Sequence, residues 1–150
     1  MKLTRPFVSM LLGCMLGMTT LSSHAENSKD FGQYVVHFNA LATDQLPARV
    51  AREYRITRST NRGMINITVL RKVLGSPGQP VPAFVEVAGT NLAGQFRRIP
   101  VREVREGNAI YYIGEFGVTH EETVRFDVRV RPQGTPDTMQ VEFSQDFYTR

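Results

Sequence analysis

The chain has 150 residues, with 18 Lys and Arg against 14 Asp and Glu, a net charge of +4, no tryptophan and one cysteine. That length suits one ordinary domain that buries a core without covalent staples, and a lone cysteine excludes an intrachain disulfide and a thiolate metal cluster. The charge excess is too small to argue for a nucleic-acid binder, and it shrinks once the N-terminus is read.

Lys2 and Arg5 open the chain, Phe7 to Leu21 carries no charge, and Ser23 and Ala25 are small residues at the positions a signal peptidase reads. The pattern predicts a cleaved signal peptide over 1–25, leaving 26–150 as a single domain in the periplasm. The apolar run is too short and too rich in Gly and Thr for a membrane span. A competing reading takes Leu11-Leu12-Gly13-Cys14 as a lipoprotein box with Cys14 lipidated, but Met15 to Met18 continue apolar where a tether is normally polar. On the leading reading the mature chain has no cysteine and no transmembrane span, and loss of Lys2 and Arg5 lowers its charge to about +2. Export makes nucleic acid an unsuitable partner.

Glu26 to Phe31 is polar and reads as a flexible lead-in. Gly32 to Leu41 alternates as a strand, with Tyr34, Val36 and Phe38 on one face and Val35, His37 and Asn39 on the other. Leu46, Val50 and Tyr54 then fall four apart with Ala51 beside them, which predicts one short helix behind Pro47. Met64 to Lys72 returns to alternation, with Ile65, Ile67 and Val69 facing one way. The proline-rich stretch Gly75 to Pro82 reads as a loop and Gly89 to Gly94 as a turn, bracketing a strand over Ala83 to Ala88.

Gln95 to Arg105 is a charged strand with Pro100 in its middle, so it is an edge strand or is interrupted there. Glu106 to Asn108 makes a hairpin turn into Ala109 to Phe116. Thr123 to Arg131 alternates strictly, with Val124, Phe126, Val128 and Val130 inside and Arg125, Asp127, Arg129 and Arg131 outside. After the turn at Pro132 to Asp137, a last strand runs from Met139 towards Tyr148. The expected fold class is all-β: an immunoglobulin-like antiparallel β-sandwich of about seven strands with one short helix after the first. A small closed barrel is the alternative.

Chemistry is sparse. The mature chain has His37 and His120 and no nucleophile elbow. His120-Glu121-Glu122 lacks the spacing of a metal site, so neither a catalytic residue, a metal ligand nor a cofactor is expected. Asn66-Ile67-Thr68 matches a glycosylation acceptor, a signal of low specificity. Arg97, Arg98, Arg102 and Arg105 read as a solvated face with cross-strand ion pairs. Arg58 to Arg62 differs, because two guanidinium groups and three small polar side chains share one short connection. Such a loop either binds a carboxylate or phosphate or braces the junction through main-chain carbonyls.

A run from Val36 through His37, Phe38 and Asn39 to Ala40 is followed by Ala51, Tyr54, Ile56, Arg58 and Ser59, and then by Arg62, Asn66, Ile67 and Val69. In these residues the chain resembles an uncharacterised family of exported proteins from Gram-negative proteobacteria, a domain of unknown function. The resemblance covers essentially the whole mature chain and is most specific in this N-terminal half. One departure is that Leu46 precedes Pro47 where the family is expected to carry Ser or Thr. The resemblance implies a periplasmic location and a compact β domain, and it implies no reaction. It marks His37, Asn39, Arg58, Ser59, Arg62 and Asn66, joined by Asn61 from the loop, as the candidate binding set. The expectation is a non-catalytic module that binds an envelope protein. The alternative is a small anionic ligand held at the helix–strand junction around Arg58 and Arg62.

Overall fold

A computed structural model describes residues 27–149. The segment read as a leader, with Cys14 and the cleavage site, lies outside them. In chain order the strands are β1 (Ser28–Asp30), β2 (Tyr34–Ala42), β3 (Arg62–Arg71), β4 (Gln79–Pro80), β5 (Ala83–Asn91), β6 (Phe96–Ile99), β7 (Val101–Glu106), β8 (Ala109–Gly117), β9 (Glu122–Pro132) and β10 (Met139–Phe147), with the helix α1 (Ala48–Glu53) between β2 and β3.

The alternation of β9 is the clearest cause of the fold. Val124, Phe126, Val128 and Val130 are fully buried, while Arg125, Arg129 and Arg131 between them are exposed. One face so apolar must be covered by a second sheet. β9 is central in a four-stranded sheet ordered β10-β9-β5-β6. The covering sheet is six-stranded, ordered β1-β2-β3-β8-β7 with β4 also on β3. Every pairing is antiparallel. Without the short β1 and β4, the sets β2-β3-β8-β7 and β10-β9-β5-β6 reproduce the connectivity of an immunoglobulin-like sandwich.

Four expectations are refined. The lead-in contains β1, which pairs Ser28 to Asp30 with His37 to Val35. The loop before β5 contributes β4, a two-residue edge on β3. The turn read at Gly89 starts later, because β5 continues to Asn91 against β9. Gly89 belongs there because a Cβ would approach Val124 Cγ1 at 3.1 Å and Ile99 Cδ1 at 3.3 Å. The Gln95 to Arg105 strand is interrupted at Pro100, as one of the two expectations had it. β6 stays with β5, and β7 crosses to β8 in the other sheet.

Between the sheets the aromatic rings form a chain. Phe38 meets Phe143 at 4.6 Å, Phe143 stacks on Phe126 at 4.9 Å, and Phe126 meets Phe116 edge-on at 5.4 Å. Phe116 in turn meets Phe147 edge-on at 5.5 Å. Offset and edge geometries of this kind add stabilisation beyond area burial. The ring pair Phe116–Phe147 closes over Gly63, where a Cβ would sit 2.6 Å from Phe116 Cε2 and 3.1 Å from Phe147 Cε1. Both rings are buried, in contact with each other, and Phe116 also meets Phe126. Gly63→Ala is therefore expected to lower stability by about 2 kcal/mol, read as a fall in the urea midpoint at unchanged slope; an unchanged midpoint would show that the rings can shift.

Candidate functional site

α1 lies on the outer face of the large sheet. Ala51 and Ile56 pack with Met64 of β3 and Ile113 of β8 in a second hydrophobic cluster, joined by Leu41, Leu46, Tyr54, Val104 and Tyr111. The helix is shorter than the predicted span: Leu46 and Pro47 enter it in extended conformation. A 3-10 turn over Thr43–Gln45 precedes it, and neither Ala42 nor Pro47 makes a side-chain cap bond. The helix ends in a Schellman-type closure, with the Ile56 amide on Ala51 O at 2.7 Å and the Arg55 amide on Arg52 O at 3.2 Å. Arg55 stands at φ 54, a left-handed position that glycine usually fills. Two side chains tie this end to β7. Arg102 donates to Tyr54 O, and the Tyr54 hydroxyl donates to Glu106. The Glu106 carboxylate, with burial, pushes the Tyr54 ionisation up to about 12 and keeps it a donor.

Thr43 organises the junction, although nothing local in the sequence marks it. Its side chain is fully buried. The hydroxyl lies 2.9 Å from Thr57 O and 3.2 Å from Ser59 O as donor, and it accepts from the Ser59 amide at 3.0 Å. Four of the candidate residues belong to the loop that Thr43 binds from across the helix. Arg58 donates to Asp44 O at 2.8 Å, and the Ser59 hydroxyl accepts the Asn61 amide at 3.2 Å. Asn61 O accepts from the Val118 amide at 3.0 Å, and Arg62 is paired with Glu115 at 3.2 Å. Arg58 and Asn61 are exposed, whereas Ser59 and Arg62 are half-buried.

The other candidates lie along the outer face. Asn39 and Asn66 are direct cross-strand partners, and His37 is opposite Thr68. Side chains on one strand face repeat every second residue, so the step from Arg62 to the His37–Thr68 pair is about 20 Å. The set is thus a spread row and not one constellation. Asn66 lies mid-strand between β2 and β8 and is half-buried, which is no glycosylation acceptor's setting. Its Oδ1 is buried without a partner among the described residues.

A stronger polar cluster sits where sequence reasoning placed only surface pairs. Arg97 of β6 bridges to Glu122 at 2.9 Å, donates to Gly117 O, and lies over the Phe116 ring at 5.5 Å. Glu122 also accepts from Asn91 Nδ2 at 3.1 Å and from the Thr119 amide at 2.9 Å. The cluster joins β5, β6 and the β8–β9 turn. His120 and Glu121 stand outside it, 3.7 Å apart and exposed. Among the described residues no group of three or more His, Cys, Asp or Glu could hold a metal ion, and no helix is long and apolar enough to cross a membrane.

The fold and this surface define a β-sandwich domain with a clamped helix on one outer face. The family model of DUF4426, a domain of unknown function, matches residues 28–150, and the chain belongs to that family. It is similar to the crystal structure of a DUF4426 family protein from Pseudomonas aeruginosa PAO1, with 28% identity and a TM-score of 0.69 over 82% of this chain and 94% of that one. It shares its fold with FetP of uropathogenic Escherichia coli strain F11, at 7% identity and a TM-score of 0.58 over 82% of this chain and 93% of that one. A copper-bound single-residue variant of FetP gives 8% and 0.58 over 84% and 97%. No curated protein matches the sequence.

Two outcomes follow for the polar contacts. Thr43→Val keeps the shape but strands the Ser59 amide, and should cost about 1–3 kcal/mol and speed exchange of that amide by a matching factor. Unchanged exchange would remove Thr43 from its organising role. For Glu122, burial pushes the carboxyl up, but the Thr119 amide, Asn91 and Arg97 outweigh it and hold it below the ordinary carboxylate range. A depressed folded-state value means stabilisation that is present above the unfolded value of about 4.3 and is lost as pH falls through the folded one. Wild type should lose more stability than Glu122→Gln between about pH 5 and pH 3. Parallel curves for the two proteins would refute the assignment.

Proposed function

We propose that this is a non-catalytic interaction module of the cell envelope, exported to the periplasm, that docks on an acidic face of an envelope protein through α1 and the loop behind it. The observation that carries the reading is a row of arginines. Arg49, Arg52, Arg55 and Arg58 recur at every third position and are all exposed. None has an ion-pair partner among the described residues, and Glu53 is the one acid between them. The platform beneath is rigid: the second hydrophobic cluster, the Schellman closure, Arg102 and Thr43 each fix a different part of it. A preorganised cationic surface loses little entropy on docking, and guanidinium forks match carboxylates in geometry.

The small-anion reading has less support. Arg62 is committed to Glu115 and Arg58 spends a donor on Asp44 O, so the two forks do not converge. A catalytic reading would need His37 or His120 beside a polar partner in a concavity. His37 instead faces Thr68 on an open sheet, and His120 is exposed in a turn. Periplasmic location rests on the leader pattern, and the family match begins at residue 28, just past the predicted cleavage site. FetP, which shares the fold, was recombinantly expressed in the periplasm of E. coli.

A photoreactive residue at Arg52 or Arg55, activated in intact cells, should give one discrete protein adduct, whereas the same group at Thr138 on the far end should give none. Equal labelling at all three positions, or adducts with lipid alone, would overturn the reading. Intact-mass measurement of the purified envelope form tests the leader reading: a chain starting at Glu26 is expected, a lipidated Cys14 start would make the exported protein an anchored one, and an uncleaved chain would overturn export.

A further inference from the structure

Two leucines stand wholly in solvent, each at the tip of a hairpin. Leu74, between β3 and β4, is 103% exposed, and Leu92, between β5 and β6, is 87% exposed. One exposed leucine is ordinary on a folded surface, but the first tip is a pair, because Val73 is exposed as well. The projection is built and not loose. The Ser76 amide donates to Val73 O at 3.1 Å with Gly75 at φ 75, the pattern of a type II turn that puts Leu74 at its leading corner. Below it the Gly78 amide donates to Ser76 Oγ at 3.1 Å, and the Lys72 amide donates to Gln33 O at 2.8 Å.

Charge separates the two tips. Arg71 to Val85 carries no acidic residue, and Arg71 and Lys72 are exposed at the base of the Leu74 turn. Lys72 pairs with Asp30, whereas Arg71 donates to the neutral Gln79 at 2.7 Å. Lys29 of β1 donates to Gln140 O and has no acidic partner among the described residues. Across the same end of the sandwich Arg105 and Arg131 balance Glu106 and Asp137, so the cations at the tip are in excess. At the Leu92 tip the stretch Val87 to Phe96 is uncharged. Around it Arg97 and Arg125 are outnumbered by Glu121, Glu122 and Asp146, and Asn91 donates to Glu122 at 3.1 Å.

We propose that the Val73–Leu74 tip seats the domain on an anionic bilayer surface. The two apolar side chains enter the interface, and Arg71, Lys72 and Lys29 lie at the level of the headgroups. A prong with cations at its base has the chemistry of that surface: apolar below the headgroups, negative among them. Two side chains fall far short of the ~800 Å² per partner that a specific protein interface buries, whereas a bilayer accepts a lone apolar prong. The attachment is accordingly weak and reversible. The step along β3 from Met64, under α1, to Arg71 is roughly 20 Å. A domain seated by the tip therefore holds the arginine row clear of the headgroups, free for a partner of its own.

The chain has no tryptophan, so one placed at either tip reports alone. With vesicles of phosphatidylglycerol and phosphatidylcholine in equal parts, Leu74→Trp in the mature chain should shift its emission to the blue and be quenched by brominated acyl chains. Leu92→Trp should do neither, and pure phosphatidylcholine should give a much smaller response at Leu74. In vesicle flotation Leu74→Ser, a change at a side chain free of the fold, should lower partition about tenfold with the thermal midpoint in place. Arg71→Gln, which keeps the Lys72–Asp30 pair, should lower it about fivefold. No blue shift at Leu74, equal shifts at both tips, or equal response to the two vesicle types would each overturn the proposal. So would a blue shift that grows with protein concentration without vesicles, which would make the occupant a second copy of the chain. None of these outcomes bears on protein crosslinking at Arg52.

Discussion

Pro100 is the constraint on which the sandwich turns. It has no amide hydrogen and a fixed φ, which confines it to an edge or a break in a strand, and here the strand changes ladder at it. Ile99 remains with Val87 of β5, and Val101 is handed to Gly114 of β8. The two sheets are thereby joined by a single peptide step along one side. Gly114 is the matching half of the device: a Cβ there would lie 2.8 Å from Ile99 Cγ2 and 3.0 Å from Pro100 O. Tyr112 spans the gap beside it, accepting from the Ala83 amide and donating to Glu103 at 3.1 Å. Burial pushes the Tyr112 ionisation up, the Ala83 amide opposes this and Glu103 adds to it, so the net effect keeps the hydroxyl protonated for that bridge.

The large sheet carries a core on each face, and this explains why β3 lies at the centre of the fold. Ile65, Ile67 and Val69 are buried in the main core, while Met64 is buried under α1 on the other side. The loop that joins α1 to β3 must therefore cross the rim of a sheet that is covered on both faces. Its polar residues serve that crossing. Thr43 gathers the carbonyls of Thr57 and Ser59, and Asn61 ties the loop to Val118 beyond β8. The residues that give this stretch its family character are in large part the joinery of a helix clamped on a sheet, while Arg49, Arg52 and Arg55 are exposed beside it.

What was legible in the sequence is what short-range periodicity encodes. The alternation of β9 and of Ile65 to Val69 predicted their buried faces, and four-residue spacing found α1. Pro100 was legible as an edge or an interruption, because one residue type forbids one hydrogen bond, and the change of sheets decides for the interruption. The misses have a common cause. Gly89 looks like a turn residue until Val124 and Ile99 occupy the space a side chain would need, and both are distant in sequence. Arg97 looks like its neighbours Arg98 and Arg102, yet register turns it inward over Phe116. Thr43 has no pattern of its own, since its partners Thr57 and Ser59 lie across the helix. The proposed binding set shared a surface in sequence but spread along β3 in space, because a strand separates residues that a short motif appears to gather.

The edges of the two sheets follow the same register. β7 turns Glu103 and Arg105 towards the inner side, following the register that buries Tyr112 and Ile110. β6 is only four residues long and turns Arg97 inward, where Glu122 neutralises it. On the opposite side Lys29 of β1 reaches across to Gln140 O of β10 at 3.0 Å. Inward charges, short strands and prolines are the devices by which sheet proteins deny a free edge to other chains. Ala83 to Glu86 follows Pro82 and has β9 as its strand neighbour, and on the other side the Ala83 amide is taken by the Tyr112 hydroxyl. β10 runs for nine residues at the end of its sheet with β9 as its strand neighbour, and its alternate residues Gln140, Glu142, Ser144 and Asp146 are polar, which makes it an edge that resists pairing with another chain.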